Sequence, residues 1–244
     1  MIITSLKNKQ IIEACALKEK KYRDRENKFL IEGYHLIEMC DTIEQIFTTN
    51  LNFNSKYPVT YVTEQVMEKL SFTKSPQGII AIANKKENKI DLNKEKYLIC
   101  DNVSDPGNLG TIIRTALAFK IDGVVLSKNC TDVYNDKVIR GSQGAIFKVD
   151  FVYADLLSII SELKKNNVTI YASALLDNSI DLQNVKNISK FALIVGNEGS
   201  GVEPQILSCS DKIIKIMHNH EIDSLNVGVA TSIMLYYFVN NLKW

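Results

Sequence analysis

The stretch FALIVGNEGSGV, residues Phe191–Val202, is the most informative part of the sequence for predicting the fold. Its first five residues are apolar, and the run ends at Gly196, the first of three glycines within six positions, with Glu198 among them. A continuously apolar run is typical of a strand buried on both faces of a parallel sheet. Ligands of such sheets bind at the carboxyl ends of the strands. We therefore predict a buried strand that ends in a candidate ligand-binding turn.

The glycine turn does not match the known phosphate-binding patterns. No lysine follows Gly201, as a P-loop requires, and the order G-x-x-G-x-G differs from the dinucleotide fingerprint G-x-G-x-x-G. Glu198 would also repel a phosphate in the turn. Glycines let the backbone approach a ligand closely, so an uncharged or cationic ligand fits better. A tight turn without any ligand is the alternative for this loop taken alone.

Composition bounds the class of protein. The 244 residues are 45% hydrophobic and 23% charged, with a formal net charge of +1, which argues against a histone-like protein. We expect a cytoplasmic protein because no apolar run approaches the length of a membrane span and the N-terminus lacks a signal pattern. The five cysteines form no C-x-x-C pair and are expected to be reduced. His218 and His220 have no ligand cluster near them, so we expect no metal site.

The chain divides into two parts of different character. Residues 84–96 are polar and rich in charge, which is typical of a linker, and nine of the 11 glycines follow residue 100. Ahead of the linker, residues 1–83 alternate short strands and helices, beginning with a basic helix over 5–21 and including a helix over 64–70 capped by Thr63. Residues 97–244 repeat the alternation with longer elements. The pattern predicts an α/β protein with a small α/β/α domain at 1–83 and a parallel-sheet domain at 97–244.

Three segments occur in the order and spacing of one family. They are DNVSDPGNLGTIIRTALAF (Asp101–Phe119), IVGNEGSGV (Ile194–Val202) and the start of SLNVGVATSIMLYY (Ser224–Tyr237), while KVIRGSQGAIFKV (Lys137–Val149) matches the stretch usual between the first two. The chain resembles the SpoU (TrmH-type) branch of the SPOUT superfamily, which are RNA ribose 2′-O-methyltransferases that use S-adenosylmethionine. The resemblance spans nearly the whole chain.

The resemblance implies features that composition and periodicity do not. The C-terminal domain is expected to contain a deep trefoil knot, although chains almost never thread themselves. Residues 1–83 are expected to form an RNA-binding domain similar to a ribosomal protein of the L30e type. The family works as a homodimer whose active site is completed across the interface.

The resemblance also implies the site residues. The polar residues of the three motifs are Asn108, Arg114, Glu198, Ser224 and Asn226, and they are expected to be catalytic. Backbone near Ala174, Gly196, Ile216 and Leu225 is expected to hold the cofactor. Residues 1–96 carry 16 Lys and Arg against 13 Asp and Glu, with the surplus at the start. We expect RNA to meet Lys18, Lys20, Lys21, Arg23, Arg25, Lys28 and Arg140, although a solvated basic helix face explains the same charges.

Arg114 has two possible roles, and the chain departs from the family pattern at three positions. Arginine is often proposed as the general base, but taking the proton from a guanidinium at neutral pH costs on the order of 7 kcal/mol; a bidentate phosphate or ribose contact is an equal alternative. The family's proline before the third motif is replaced, since the chain reads Ile216-Met217-His218. His220 and Lys120 stand where glycines are usual. Because the polar motif residues are all present, we expect an active enzyme.

The sequence therefore predicts S-adenosylmethionine-dependent 2′-O-methylation of ribosomal RNA of the 23S type. Transfer RNA is an alternative substrate. A non-catalytic RNA-binding or ribosome-assembly protein with the same fold is a second alternative, but it predicts damaged motif residues. A dinucleotide oxidoreductase is disfavoured by the missing fingerprint.

Overall fold

The computed structural model describes residues 2–87, 89–219 and 221–242, which form two structural units. The first unit holds the described residues of Met1–Glu87 and Tyr134–Phe147, and the second those of Asn88–Val133 and Lys148–Trp244. The elements of the first unit are β1 (Ile2–Ile3), α1 (Lys9–Ala16), α2 (Lys20–Glu26), β2 (Lys28–Glu32), α3 (Tyr34–Met39), β3 (Ile43–Thr48), β4 (Val59–Val62), α4 (Glu64–Leu70), β5 (Ile79–Asn84) and α6 (Asp136–Ser142).

The first unit is built on a mixed sheet of five strands in the order β1-β4-β3-β5-β2. The strand β5 runs antiparallel to both β2 and β3, while β3 and β4 are parallel. Apolar residues of α1 and α4 close one core with the sheet, and Phe47, Met67 and Ile80 are fully buried there. This arrangement agrees with the alternation of strands and helices in the sequence.

The predicted helix over 5–21 is two helices. The first, α1, ends at Ala16, and the chain turns before α2 begins at Lys20. Arg23 explains the break: its buried guanidinium donates hydrogen bonds to the carbonyl oxygens of Leu17 (3.1 Å) and Lys18 (2.7 Å). Carbonyls at a helix end need such partners because the helix no longer supplies them. The contact joins Arg23 to residues five and six positions earlier in the chain, a spacing that helical periodicity does not predict.

Residues 134–147 pack with the first unit, although the predicted boundaries place them in the second domain. The helix α6 ends at Ser142, Gln143 is left-handed with φ +50°, and a short 3₁₀ turn covers Ala145–Phe147. Gly144 has φ +83°, and a Cβ there would lie 2.5 Å from the sulfur of Met39. Gly141 lies in the last turn of α6 and Gly144 follows the helix, so the helix stops between these two glycines.

The second unit contains a parallel sheet of seven strands in the order β10-β12-β9-β11-β6-β7-β8. Its remaining elements are β6 (Lys96–Cys100), α5 (Pro106–Ala118), β7 (Gly123–Leu126), β8 (Phe151–Tyr153), α7 (Leu156–Lys165), β9 (Thr169–Ser173), β10 (Ile180–Asp181), β11 (Phe191–Val195), α8 (Pro204–Ser208), β12 (Lys212–Lys215) and α9 (Val227–Asn240). All of its strand pairs are parallel. The quoted strand β11 lies between β9 and β6, and all five of its residues are buried. The predicted parallel α/β sheet is confirmed; the knot stays a prediction.

The second half of the segment predicted as a linker packs against the second unit. Asn84 ends β5 and Lys96 begins β6, while Ile90 and Leu92 pack against the core of the second unit. The hydroxyl of Tyr97 donates to the carbonyl of Asp91 at 2.7 Å. Two apolar side chains in a polar stretch are enough to attach its second half to the sheet domain.

The other predictions from the sequence concern the cap of α4, the cysteines, membrane spans and metal-binding clusters. The helix α4 covers the predicted 64–70, but the Thr63 hydroxyl makes no capping bond and is buried without a partner. All five cysteines are free thiols, with Cys40, Cys100 and Cys130 buried. Within the described ranges, no helix is both long and apolar enough to span a membrane, and no cluster of three or more metal-binding side chains occurs. His220 lies outside the described residues.

Candidate active site

The glycine turn after β11 is closed by backbone contacts. Asn197 and Gly201 exchange two hydrogen bonds of 2.9 Å between their N–H and carbonyl groups. A Cβ on Gly196 would lie 2.2 Å from the carbonyl carbon of Gly201, so only glycine fits there. The backbone N–H groups of Gly199 and Ser200 donate to the side-chain oxygen of Asn197. Because these donors are already satisfied, the turn does not offer the array of N–H groups that a phosphate needs.

One residue from each of the three motifs joins in a chain of hydrogen bonds. The amide nitrogen of Asn108 donates to Oε1 of Glu198 at 2.8 Å, and the amide nitrogen of Asn226 donates to Oδ1 of Asn108 at 2.8 Å. The amide oxygen of Asn226 accepts the N–H groups of Gly228 (3.0 Å) and Val229 (3.2 Å), which caps α9. We call this set, Glu198–Asn108–Asn226, the amide relay.

The chemistry of each group fixes the direction of the amide relay. An ionised carboxylate only accepts hydrogen bonds, so the Asn108 nitrogen must face Glu198 and its oxygen must face Asn226. Asn226 in turn must present its nitrogen to Asn108 and its oxygen to the start of α9. A single acidic residue thus sets the orientation of two amides, and through them the N-terminal cap of α9. The neighbour that Glu198 orients directly is Asn108, and Asn108 in turn orients Asn226.

Arg114 and Ser224 are not part of the amide relay. Arg114 lies on α5, exposed to solvent, and no other residue in the described ranges makes a hydrogen bond or ion pair with its guanidinium. Ser224 is also exposed and lies in the segment before α9. The structure therefore brings together three of the five predicted catalytic residues and leaves the other two available for a ligand.

A cleft of about 80 Å³ lies beside the start of α9. Three of the four predicted cofactor-binding residues line it, namely Ala174, Ile216 and Leu225, and Ser224 lines it as well. Its walls come from the ends of β9 and β12 and from the third motif, so the cleft lies at the carboxyl ends of parallel strands. Gly196 does not line the cleft; its role in the structure is the close approach to Gly201.

Two departures from the family pattern have a structural counterpart. In the segment where proline is absent, Met217 is 57% exposed, and Nδ1 of His218 lies 2.9 Å from the carbonyl oxygen of Ile216. Because a carbonyl only accepts, Nδ1 carries the proton in this contact. Lys120, which stands where glycine is common, has φ +51° and is left-handed. Glycine adopts that conformation without strain, which explains the family's preference.

A second layer of polar residues lies behind the glycine turn. The buried carboxylate of Asp101 accepts the N–H of Glu203 at 2.8 Å, and the amide of Asn102 donates to the carboxylate of Glu203 at 2.8 Å. Burial raises the pKa of the Asp101 carboxyl, and repulsion by Glu203 adds to it, against the lowering effect of the backbone N–H. This layer connects the residues that follow β6 to the start of α8, the helix that follows the glycine turn.

The sequence did not single out two residues that hold the active-site loops together. The amide nitrogen of Asn197 donates to the carbonyl of Asn102 (2.8 Å) and contacts the Ser104 hydroxyl (3.3 Å), while that hydroxyl lies 3.5 Å from Glu198. Asn197 stands inside the quoted stretch, and Ser104 stands inside the first motif. Their positions inside the motifs could have marked them as site residues. Their contacts could not be predicted, because their partners lie some 90 residues away along the chain.

Several predicted RNA-binding residues are engaged within the first unit. Arg23 is 4% exposed and bound to backbone carbonyls, as described above. The ammonium of Lys18 donates to the carbonyls of Lys69 (2.9 Å) and Ser71 (2.6 Å). The others form ion pairs with neighbouring acids and remain at least partly exposed: Lys20 with Asp24, Lys21 with Glu19, Arg25 with Glu26, Lys28 with Glu44, and Arg140 with Asp136.

Comparison with protein families gives two matches along the chain. Residues 95–236 match the model of the SpoU rRNA Methylase family. Residues 8–81 match the model described as an MRM3-like substrate binding domain.

Individual relatives cover nearly all of the chain. The chain is 35% identical to the 23S rRNA (guanosine(2553)-2′-O)-methyltransferase RlmP of Bacillus subtilis, over 96% of this chain and 98% of the relative. An AdoMet-bound rRNA methyltransferase from Sinorhizobium meliloti superimposes with a TM-score of 0.88 at 28% identity, covering 100% of this chain and 99% of the other. The methyltransferase AviRb of Streptomyces viridochromogenes, solved with AdoMet, shares the fold with a TM-score of 0.83 at 20% identity, covering 96% of this chain and 98% of that one.

Proposed function

The chain belongs to the SpoU rRNA methylase family, and we propose that it transfers a methyl group from S-adenosylmethionine to a ribose 2′-hydroxyl of 23S-type ribosomal RNA. The observation on which this rests is the amide relay, because it joins side chains of all three motifs around one carboxylate. A non-catalytic protein with this fold predicts damaged motif residues, whereas all five polar motif residues are present. The relative RlmP, which acts on 23S rRNA, supports the choice of substrate class.

The cleft beside α9 is the proposed cofactor site. Its residues suit the cofactor: Ile216, Leu225 and Met234 offer apolar surface for a base, and strand ends offer backbone groups for its polar edge. The enclosed volume of about 80 Å³ is smaller than the roughly 300 Å³ of a typical ligand pocket. Bound S-adenosylmethionine would therefore extend beyond the cleft, which Ser224 also lines. S-adenosylmethionine supplies an electrophilic methyl group on a sulfonium centre.

The relay residues are proposed to position the reacting groups. Methyl transfer needs the hydroxyl oxygen in line with the methyl group, so small errors in position are costly. Glu198 holds the Asn108 amide in one orientation, and Asn226 transmits that orientation to the segment that contains Ser224 and Leu225. Asn108 and Ser224 can then bond the ribose and the cofactor without adding charge.

Arg114 is proposed to bind RNA phosphate. Its guanidinium is exposed, and no described acidic residue pairs with it, so its donors are available for a bidentate contact. A phosphate next to the reacting ribose would be held in register by such a contact. In this role the arginine keeps its proton, and the proton of the 2′-hydroxyl leaves to water.

A homodimer is part of the proposal. Val229, Ile233 and Tyr236 are 48%, 39% and 61% exposed and lie at i, i+4 and i+7 on α9, so they form one apolar stripe. Such a stripe on an exposed helix is typical of a protein–protein interface. A second copy is the occupant that the family resemblance implies, and it would bring further residues to the site at the start of the same helix.

The remaining parts of the proposal concern RNA binding and topology. Residues 1–83 are proposed to form an L30e-like domain that binds the RNA, with Lys20, Lys21, Arg25, Lys28 and Arg140 as contacts. Residues 84–96 are proposed as the linker, and residues 97–244 as the knotted catalytic domain. Surface ion pairs are weak, so these cations can exchange their carboxylates for phosphates. Arg23 and Lys18 are left out because the fold uses their charged groups. The proposed location is the cytoplasm, where bacterial ribosomes assemble.

The function is tested by mapping 2′-O-methylated positions across total RNA from cells with and without the gene. We expect one ribosomal position to lose its methyl group in the deletion and to regain it with the wild-type gene. The Asn108→Ala variant is expected not to restore it, because Glu198 and Asn226 both lose their partner. The matched control is Asn184→Ala, which changes an exposed asparagine of the second unit with no hydrogen bond to the site.

Two results would contradict the proposal. An identical methylation map with and without the gene would exclude RNA 2′-O-methylation in that cell. Restoration by Asn108→Ala to the wild-type level would show that the amide relay is not needed for the reaction. A lost position in transfer RNA instead of ribosomal RNA would keep the chemistry and replace the substrate.

A further inference from the structure

A pocket in the first unit is separate from the site described above. It has a volume of about 350 Å³ and lies between α3 and the segment that joins β3 to β4. Ile37 and Ile79 form its buried floor, and Tyr34, Phe53 and Tyr57 are among the residues at its wall. The volume falls within the range of sites that hold small organic groups, roughly 300–1,000 Å³. The pocket is therefore large enough for one nucleobase.

The wall of the pocket is aromatic. The ring of Tyr34 is in edge contact with that of Phe53, with centroids 5.8 Å apart, and Tyr34 is 38% exposed. Tyr57 is half-buried, and the ammonium of Lys56 lies 5.0 Å from the centre of its ring. Three aromatic rings around a solvent-open pocket are the usual means by which proteins stack unpaired bases.

Hydrogen bonds hold this wall in place. The hydroxyl of Tyr61 donates to the carbonyl of Phe53 at 3.1 Å, and the N–H of Phe53 donates to the carbonyl of Asn50 at 3.0 Å. The N–H of Tyr57 donates to the hydroxyl of Ser55 at 3.2 Å. A wall that is already ordered loses little entropy when it binds a ligand, so stacking against it is favourable.

The charges at the pocket balance. Asp41 is paired with Lys86 at 2.9 Å, while Glu38 and Lys56 are exposed and make no ion pair with other described residues. Lys56 can meet the phosphate of a bound nucleotide, and the carboxylate of Glu38 can accept an N–H of its base. With no net positive charge, the pocket would bind by stacking and hydrogen bonding, and not by attraction to phosphate alone.

We propose that this pocket binds one unstacked nucleobase of the RNA substrate, with its ring stacked on Tyr34 or Tyr57. The inference rests on the proposed function, which supplies RNA as the ligand. It is supported by the match of residues 8–81, which contain the whole pocket, to a model of a substrate binding domain.

The test uses the full-length protein and in vitro-transcribed 23S rRNA. After irradiation at short ultraviolet wavelength and digestion, we expect nucleotide adducts on peptides that contain Tyr34, Phe53 or Tyr57. In filter binding, Tyr34→Ala is expected to weaken the affinity about 5- to 100-fold, the range that corresponds to losing one base–aromatic stack. Tyr34→Phe should recover most of that loss because it restores the ring. Leu51→Ala, which removes a side chain that is 58% exposed and outside the pocket, is the control.

Salt dependence separates stacking from charge. Tyr34→Ala should lower the affinity by the same factor at low and high salt. Lys56→Ala should reduce the slope of log affinity against log salt by about one phosphate contact. A structural defect would not give this contrast, and circular dichroism of Tyr34→Ala checks that the exposed substitution leaves the fold intact.

The outcomes distinguish this inference from the proposed function. If wild-type protein methylates the RNA but Tyr34→Ala and Tyr57→Ala bind within twofold of wild type and no adduct falls on the pocket, the inference alone is overturned. If wild-type protein neither binds nor methylates ribosomal or transfer RNA, both fail. Adducts on the pocket together with the loss in Tyr34→Ala support the inference.

Discussion

Glu198 shows how much one side chain decides in this protein. Its place in the glycine turn argues against phosphate, and in the structure its carboxylate sets the direction of two amides and the cap of α9. Hydrogen bonds to charged groups stabilise by about 1.5–3 kcal/mol, so this direction is strongly favoured. The sequence identified all three relay residues, but which of them touch one another depends on contacts between residues 90 and 118 positions apart.

Asn108→Asp tests the direction of the relay. The introduced carboxyl would lie 2.8 Å from Oε1 of Glu198, where the wild-type amide donates. Two ionised carboxylates repel at this distance, so we expect the turnover number to fall at least about tenfold at neutral pH. Because a protonated carboxyl can donate to Glu198 again, the variant should recover activity as the pH falls, whereas the wild type should not. Turnover is measured with labelled S-adenosylmethionine from pH 5.5 to pH 8.

The control for this variant is Asn184→Asp, which adds the same charge at an exposed position away from the site. A turnover number for Asn108→Asp within twofold of wild type at neutral pH would show that the relay direction does not matter for catalysis. A uniform loss at every pH would point to a steric cause.

At the scale of elements, chain reversals depend on backbone conformations that the sequence only partly signals. The end of α5 is an example. Lys120 follows the helix with φ +51°, a left-handed conformation that costs roughly 1–2 kcal/mol for a residue with a Cβ. The sequence marked the position as unusual because glycine is common there in the family, and the structure supplies the physical reason.

Lys120→Gly is expected to stabilise the protein. The substitution removes the left-handed strain, while the greater freedom of glycine in the unfolded chain offsets part of the gain, which leaves about 0.5–1 kcal/mol. For a chain of this size, that corresponds to a rise in melting temperature of about 1–4 °C. Differential scanning calorimetry measures the change.

Lys137→Gly is the matched control, since Lys137 is exposed and lies in the first turn of α6 with helical backbone. Glycine there should destabilise by about 1 kcal/mol or less. If both lysine-to-glycine variants lower the melting temperature, the left-handed conformation of Lys120 is not under strain.

At the scale of the whole molecule, the exposed stripe on α9 connects the site to the proposed dimer. Replacing Ile233 with Asp would place a charge in the stripe between Val229 and Tyr236, which are both exposed. Burying an unpaired charge costs several kcal/mol, so the proposed dimer should dissociate to monomer. Light scattering coupled to size-exclusion chromatography measures the mass.

Ile12→Asp is the control, because Ile12 is 51% exposed on α1 and outside the stripe. We expect it to remain a dimer. A dimeric Ile233→Asp, or a wild type that is monomeric at micromolar concentration, would contradict the α9 interface. Loss of methyl transfer in a folded monomer would support a site that is completed by the second copy.

Buried tyrosines predict how the second unit responds to alkali. Burial raises the pKa of Tyr97 from 10.0 to about 12, and burial also raises the pKa of Tyr153 and Tyr171. Since the folded state favours the protonated phenol, this contribution to stability is complete below pH 10 and is lost as the pH rises from about 10 to about 12. Urea unfolding midpoints should therefore fall across this range.

Tyr97→Phe provides the comparison. It removes the titrating hydroxyl and its hydrogen bond to the Asp91 carbonyl, so it should be less stable at pH 8 but lose less stability between pH 8 and pH 11. Absorbance of phenolate reports the titration in parallel. Midpoints that decline equally in both proteins would assign the effect to other groups.

Local patterns in the sequence were enough to predict the class of fold, and the resemblance to the family identified the motif residues. Continuous apolar runs predicted the parallel strands, because burial on both faces leaves no polar alternation, and β11 is buried along its length. The helix α4 also lies where its pattern predicts it. These features are local in the chain, and a local pattern is enough to specify them.

Contacts between residues that are distant in the chain follow from tertiary packing and could not be predicted from local patterns. It divided the predicted first helix, because the Arg23 guanidinium bonds the carbonyls at its end. It placed residues 134–147 with the first unit, used Lys18 and Arg23 inside the fold, and joined Asn108, Glu198 and Asn226 in one relay. Each of these features depends on contacts between residues that are far apart in the chain. The pattern of apolar and polar residues along the sequence does not specify such contacts.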